Sequence, residues 1–142
     1  MSKILIVEDD NNIAKAMKIL LAEEGHAIHI VGNCDAALLL MKNKQFDLIL
    51  QDIMLPGMPA KDFVEKLKMD KKFSKIKIVY VTAMSYIGMG EGTAKLVEPF
   101  SLRFAEINKA FAVGILQKPF TKEKLLGVVN KALADKKKDI IL

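Results

Sequence analysis

Cysteine, arginine and long hydrophobic runs are all scarce in this sequence. Its one cysteine, Cys34, excludes an internal disulfide and cannot form a metal site alone. The longest apolar stretches, such as AFAVGIL, fall far below the roughly 20 residues that a membrane helix needs. The first residues also lack the architecture of a signal peptide. We therefore expect a cytoplasmic protein with no membrane insertion.

The positive charges are almost all lysines, because Arg103 is the single arginine. A net charge of +5 favours an acidic partner or nucleic acid. The lysines are scattered, however, apart from groups at 66–77 and 136–138, and neither a zinc-finger spacing nor a helix-turn-helix is recognisable. We interpret the charge as a solvated basic surface and expect no direct DNA binding.

Five short apolar runs alternate with helical patterns along the chain. The runs predict strands at Lys3–Val7, Ala27–Val31, Asp47–Gln51, Lys77–Thr82 and Val113–Gln117. The helical patterns predict helices at Asn11–Glu24, Asp35–Lys42, Ala60–Lys68, Ser101–Ala112 and Thr121–Ala134. Near-continuous apolar strands are typical of parallel sheets covered on both faces. The alternation predicts an α/β fold with a doubly wound five-stranded parallel sheet and helices on both faces.

The length of 142 residues, 51% of them hydrophobic, suits one globular domain. We place this domain at 1–134 and a short basic tail at 135–142. The longest interval between strands contains three glycines and a proline, which predicts an inserted Gly-rich loop at about 85–99. Loops of that length often act as lids or are disordered, and a partner-specific surface is a further interpretation.

Acidic, hydroxyl and ammonium groups stand at the end of, or directly after, four of the five predicted strands. They are Glu8, Asp9, Asp10, Asp52, Thr82 and Lys118. Because the carboxyl ends of parallel strands meet at one edge of a sheet, we expect these groups to lie close together. Oxygen ligands without cysteine or histidine favour a hard cation, above all Mg²⁺. Asp10 could instead cap the first helix, and we favour that interpretation for it.

Four segments in this order resemble the receiver domain of two-component response regulators, in particular the chemotaxis-type single-domain receivers. The segments are VEDD, LILQDIMLPGMP, VYVTA and LQKPF. The resemblance covers residues 3 to about 134. It implies that Asp52 accepts a phosphoryl group, assisted by Thr82 and Lys118. It also implies a cis peptide bond between Lys118 and Pro119.

The same resemblance implies a bound Mg²⁺. Its ligands would be Asp9, Asp52 and the backbone carbonyl of Met54, with Glu8 acting through water. Phosphoryl transfer depends mainly on positioning and charge neutralisation, which these groups and Lys118 would supply.

The implied function is that of a single-domain response regulator of the phosphorelay type. It would take its phosphoryl group from a sensor histidine kinase or a phosphotransfer protein and signal to an unidentified protein target by direct contact. It would not be an enzyme, apart from Mg²⁺-dependent self-phosphorylation from a small phosphodonor. A homodimer through the fourth helix, fifth strand and fifth helix is left open.

The sequence departs from the family pattern in three places. Ile115 stands where many receivers have an aromatic residue, which puts the usual coupling to the threonine in doubt. The interval from Thr82 to Lys118 is longer than usual. Met54 and Met84 carry no group that could position a hydrolytic water, so we predict slow dephosphorylation.

Two alternatives remain. The first is a pseudo-receiver that is never phosphorylated and acts as a protein-interaction module. The second is an enzyme on the same type of sheet. A dehalogenase-type phosphatase would need an acid at the position of Met54, and a dinucleotide or flavin protein would need a Gly-rich turn after the first strand.

Overall fold

The structure, a computed structural model, describes residues 1–83 and 111–134. Five strands form one sheet in the order β2-β1-β3-β4-β5, and every neighbouring pair is parallel. The strands are β1 (Lys3–Val7), β2 (Ala27–Val31), β3 (Leu48–Asp52), β4 (Lys77–Thr82) and β5 (Gly114–Gln117). The helices are α1 (Asn11–Glu23), α2 (Cys34–Met41), α3 (Ala60–Met69) and α4 (Lys122–Ala134). The predicted doubly wound parallel sheet is confirmed.

Several predicted boundaries were wrong by one residue. The third strand begins at Leu48 and includes Asp52, so the carboxylate belongs to the strand itself. The last helix begins at Lys122 and not at Thr121. Thr121 caps the helix instead, since its hydroxyl accepts a hydrogen bond from the Lys124 N–H (3.2 Å). Other boundaries differ from the prediction by one residue as well. They concern the end of α1, both ends of α2, the end of α3 and the start of β5.

Three predicted segments lie wholly or mostly outside the described residues. They are the Gly-rich loop at about 85–99, the fourth predicted helix (Ser101–Ala112) and the tail at 135–142. Of that helix, only Phe111 and Ala112 are described, and neither is helical. No helix within 1–83 or 111–134 is long and apolar enough to cross a membrane.

The sheet separates two hydrophobic clusters. Along β1, Ile4 and Ile6 face the cluster that α1 and α4 cover, whereas Leu5 and Val7 face the cluster that α2 and α3 cover. This alternation follows from the pleat of a strand, which points successive side chains to opposite faces. All four residues have no exposed surface. The two clusters hold β1 and β3 rigidly in the middle of the sheet.

Helix α4 packs so closely on β5 that the strand begins with a glycine. A Cβ atom at Gly114 would lie 2.9 Å from Cγ2 of Val128 and 3.6 Å from Cγ2 of Val79. The first distance is shorter than ordinary van der Waals contact, and a branched valine has little freedom to move away. The glycine thus permits the close approach of α4 to the edge of the sheet.

We predict that Gly114→Ala lowers the free energy of unfolding by about 1–3 kcal/mol, the usual cost of overpacking a core. Urea unfolding would measure this change. The control is Gly127→Ala on α4, where a Cβ meets nothing within 4 Å. An alanine at such a helical position should instead stabilise the protein by about 0.5–1 kcal/mol. Equal effects of the two substitutions would contradict the packing argument.

Candidate functional site

The register of the sheet brings three carboxylates together at its carboxyl edge. Pairing between β1 and β3 ends at Val7 opposite Gln51, so Glu8 and Asp52 follow directly on adjacent strands. The Glu8 N–H donates to the Val31 carbonyl (3.0 Å), which holds the start of the loop after β1. Carboxylate oxygens of Glu8, Asp9 and Asp52 lie within 4.8 Å of one another. The predicted proximity of these acids is therefore present.

Lys118 reaches the same acids from the end of β5. Its backbone N–H donates to the Thr82 carbonyl (2.7 Å), and its ammonium lies 2.5 Å from Glu8 Oε1 and 3.3 Å from Asp52 Oδ2. The side chain is 16% exposed. The peptide bond to Pro119 is cis, as the resemblance implied. Lys118 thus contacts two carboxylates at once.

The Asp52 carboxylate is buried but is contacted on both oxygens. The residue is 4% exposed. Its Oδ1 accepts a hydrogen bond from the Met54 N–H (3.0 Å), while its Oδ2 faces the Lys118 ammonium. Burying an unpaired charge would be very costly, and these two contacts explain how an apolar strand can end on this acid.

Burial shifts the ionisation of Glu8 strongly. The pKa of Glu8 is raised from 4.5 to about 7. Desolvation is the largest cause and the neighbouring Asp52 side chain adds to it, whereas Lys118 acts in the opposite direction. Desolvation alone would lower the pKa of Lys118, but its contacts with Glu8 and Asp52 outweigh this and raise it. Within the described residues, the Lys118 ammonium contacts two of the three clustered acids, so acids outnumber ammonium groups there.

Asp10, the third acid of the VEDD segment, caps α1. Its Oδ1 accepts hydrogen bonds from the Asn12 N–H (2.9 Å) and the Ile13 N–H (3.2 Å). Its own N–H donates to Glu8 Oε2 (3.3 Å). The interpretation of Asp10 as a helix cap is confirmed, and the cap also fixes the loop that carries the other two acids.

The roles of the remaining candidate residues stay predictions. Thr82 ends β4 and is 8% exposed. Met54 contributes its N–H to Asp52, its side chain is 68% exposed, and its carbonyl remains a predicted ligand. Ile115 lies on β5 and is 48% exposed. Met84 lies outside the described residues.

Gln51 was missed by the sequence analysis. It is completely buried beside Asp52, on the opposite face of β3, and its amide donates to the Asp52 carbonyl (2.9 Å) and to Cys34 Sγ (3.4 Å). The sequence does contain a signal for Gln51, because in LILQDI a neutral polar residue stands between an apolar run and the acid Asp52.

The three clustered acids fit a magnesium ion. Mg²⁺ prefers oxygen ligands and commonly uses one or two carboxylates together with water. Here Glu8 and Asp52 are almost fully buried, and the one lysine that contacts them within 1–83 and 111–134 cannot balance the three acids. A divalent cation would supply the missing positive charge, which lowers the cost of keeping these carboxylates ionised.

Comparison with known proteins agrees with this geometry. The family model of the response regulator receiver domain matches residues 4–96. The chain belongs to this family of two-component systems.

Among curated proteins, the chain is 32% identical over 132 residues to the probable transcriptional regulator ycf29 of Pyropia yezoensis, covering 93% of this chain and 53% of that protein. It is 37% identical over 81 residues to the DNA-binding response regulator MtrA of Mycolicibacterium smegmatis, covering 57% of this chain and 34% of that protein. The chain therefore spans about half, or less, of the length of these relatives. Among solved structures, the chemotaxis response regulator CheY4 of Vibrio cholerae is 26% identical with a TM-score of 0.76, covering 93% of this chain and 98% of that one.

The raised pKa of Glu8 predicts a pH dependence of stability in metal-free protein. Because the folded-state value of about 7 exceeds the ordinary 4.5, the contribution of Glu8 to stability is complete below pH 4.5 and is lost as the pH rises through 7. Glu8→Gln should remove this loss. Thermal unfolding in the presence of a chelator at several pH values would measure it.

The control for this experiment is Glu23→Gln, because the Glu23 side chain is 57% exposed and lies outside the site. It should keep the pH profile of the wild type. If Glu8→Gln also kept that profile, the electrostatic account of the site would be wrong.

Proposed function

We propose that this receiver accepts a phosphoryl group on Asp52 from a sensor histidine kinase or a phosphotransfer protein. The observation that carries the proposal is the pair of contacts on the buried Asp52 carboxylate. Its Oδ1 is held by the Met54 N–H and its Oδ2 by the Lys118 ammonium. The carboxylate is therefore fixed in place, as a nucleophile in phosphoryl transfer needs to be.

In the proposed reaction, one Asp52 oxygen forms a bond to phosphorus. The bond between phosphorus and the donor atom breaks at the same time, and the leaving group departs with that electron pair. The product is an acyl phosphate. Lys118 already lies 3.3 Å from the carboxylate, so its ammonium can interact with the incoming phosphoryl oxygens as a point charge.

Glu8, Asp9, Asp52 and the Met54 carbonyl would hold Mg²⁺, with Glu8 acting through water. The ion would neutralise negative charge on the transferred group. The excess of acids over ammonium groups among the described residues of the site supports this assignment. Thr82 would then turn its hydroxyl toward the phosphoryl group, and that movement would bias the sheet edge between two conformations.

We propose that output passes by contact with another protein and not by direct DNA binding. Ile115 supports a contact role, because it leaves 48% of its surface exposed on the edge strand β5. The interpretation as a stand-alone receiver spanning 1–134, without enzymatic activity beyond self-phosphorylation, stays a prediction. The longer relatives include DNA-binding regulators, and no property of their additional segments is assigned to this chain.

Asp52→Asn should abolish Mg²⁺-dependent uptake of one phosphoryl group from acetyl phosphate or phosphoramidate. The substitution keeps the shape of the side chain but removes the nucleophilic carboxylate. Intact-protein mass, measured with and without Mg²⁺, reports the result.

The matched control for Asp52→Asn is Asp10→Asn. It changes another acid of the site region, and asparagine caps a helix about as well as aspartate, so uptake should persist. Wild-type protein that gains no phosphoryl group from either donor and whose stability does not respond to Mg²⁺ would favour the pseudo-receiver instead.

We expect the phosphorylated protein to persist for minutes or longer. The Met54 side chain points into solvent with 68% of its surface exposed and has no hydrogen-bonding group, so it cannot orient a water for attack on the acyl phosphate. Decay of the phosphorylated mass after removal of the donor would measure the lifetime. Met54→Asn should shorten it, and Met69→Asn, at an exposed position on α3, should not. A wild-type lifetime of seconds would contradict the prediction.

A further inference from the structure

Gln51 is a buried polar residue that the proposed phosphoryl chemistry does not use. Within the described residues, the buried polar or charged side chains are Glu8, Gln51, Asp52 and Thr82. Three of them belong to the acidic site. Gln51 lies on the other face of the sheet, among the apolar side chains beneath α2 and α3, and has no exposed surface.

The early end of β1 explains why the Asp52 carbonyl needs a hydrogen-bond donor from a side chain. The Ile53 N–H donates to the Val81 carbonyl (3.1 Å) and so points toward β4. Because a trans peptide directs its carbonyl and N–H to opposite sides, the Asp52 carbonyl points toward β1. Pairing between β1 and β3 has already ended at Val7. The Asp52 carbonyl therefore lacks the partner that a longer strand would provide.

The Gln51 amide supplies that missing donor. Its Nε2 lies 2.9 Å from the Asp52 carbonyl oxygen. A carbonyl can only accept hydrogen bonds, so the orientation of the amide is fixed with its nitrogen toward Asp52. The same nitrogen lies 3.4 Å from Sγ of Cys34, the buried first residue of α2. Burial raises the pKa of Cys34 to about 11, so the thiol stays protonated and uncharged.

This arrangement has a cost in stability. Gln51 Oε1 is buried and has no hydrogen-bond partner among the residues that the structure describes. Buried polar atoms are nearly always paired, and an unpaired one calls for an explanation. An apolar side chain of the same shape would remove this unpaired oxygen but would leave the Asp52 carbonyl without its donor. The amide at this position is therefore explained by the carbonyl that it holds and not by core packing.

The geometry points to Gln51 as a positioning residue for the nucleophile. By holding the backbone carbonyl of Asp52, the amide fixes the end of β3 from the face opposite the acids. The Met54 N–H, two residues later, then meets Asp52 Oδ1 at 3.0 Å. This inference rests on the proposed role of Asp52, but its structural part, the fixed strand end, can be tested independently.

The test compares Gln51→Met with Ile49→Met. Methionine matches the length of glutamine but cannot donate to the carbonyl. Ile49 lies two residues earlier on the same face of β3 and is equally buried, so it controls for disturbance of the core. The measurements are the phosphorylation rate at saturating Mg²⁺ and acetyl phosphate, the thermal unfolding midpoint, and hydrogen exchange of the Met54 amide.

We expect Gln51→Met to slow phosphorylation about tenfold, since small displacements of a reacting group have effects of this order or larger. Exchange of the Met54 amide should become faster. The unfolding midpoint should stay close to that of the wild type, because one buried acceptor is unpaired in either protein. Ile49→Met should leave the rate and the Met54 exchange unchanged.

A rate and an exchange profile equal to those of Ile49→Met would overturn the inference. If the wild type accepted no phosphoryl group, the proposed function would fail, whereas the Met54 exchange would still decide whether Gln51 fixes the strand end. If Gln51→Met did not fold, Gln51→Asn would replace it. That variant keeps an amide but is one methylene too short to reach the carbonyl, so the same losses are expected.

Discussion

Each strand of the sheet runs parallel to its neighbours, so every strand delivers its last residues to the same edge. This constraint assembles the site. The acids after β1, the acid that ends β3 and the lysine after β5 are distant in the sequence, and only the shared strand direction brings their charged groups together. The two apolar clusters on either side of the sheet then hold the strands in register, which fixes the distances between these groups.

The assembled site is electrostatically unbalanced in the absence of a cation. In the part of the chain that the structure describes, three clustered acids outnumber the one ammonium, that of Lys118, which contacts Glu8 and Asp52. Sites that bind ligands often retain such unfavourable arrangements while the remainder of the fold stabilises them. The unpaired Gln51 oxygen is a second local cost at the same strand end. The strands β1, β3 and β4 are almost entirely buried and stabilise the fold against both costs.

Much of the fold and part of the site could be predicted from the sequence, because these features depend on local patterns of residues. Apolar runs located all five strands, and Asp10 was correctly interpreted as a helix cap from its place before α1. Other features depend on contacts between distant segments. Lys118 lies closer to Glu8 than to Asp52. The Asp52 carbonyl accepts its hydrogen bond from Gln51 because β1 ends too early to pair with it. Both features follow from the register of the strands, which the sequence does not display.

The connection between the site and α4 is very short. Lys118 is followed after three residues by Lys122, where α4 begins, and the intervening Thr121 caps that helix. A helix of thirteen residues is about 20 Å long. A rotation of about 10° at the Lys118 end would carry the far end of a rigid helix of this length through about 3.5 Å. A displacement of Lys118 too small to alter the pairing between β4 and β5 would thus become a shift of a few ångströms at the end of α4 that is far from the site.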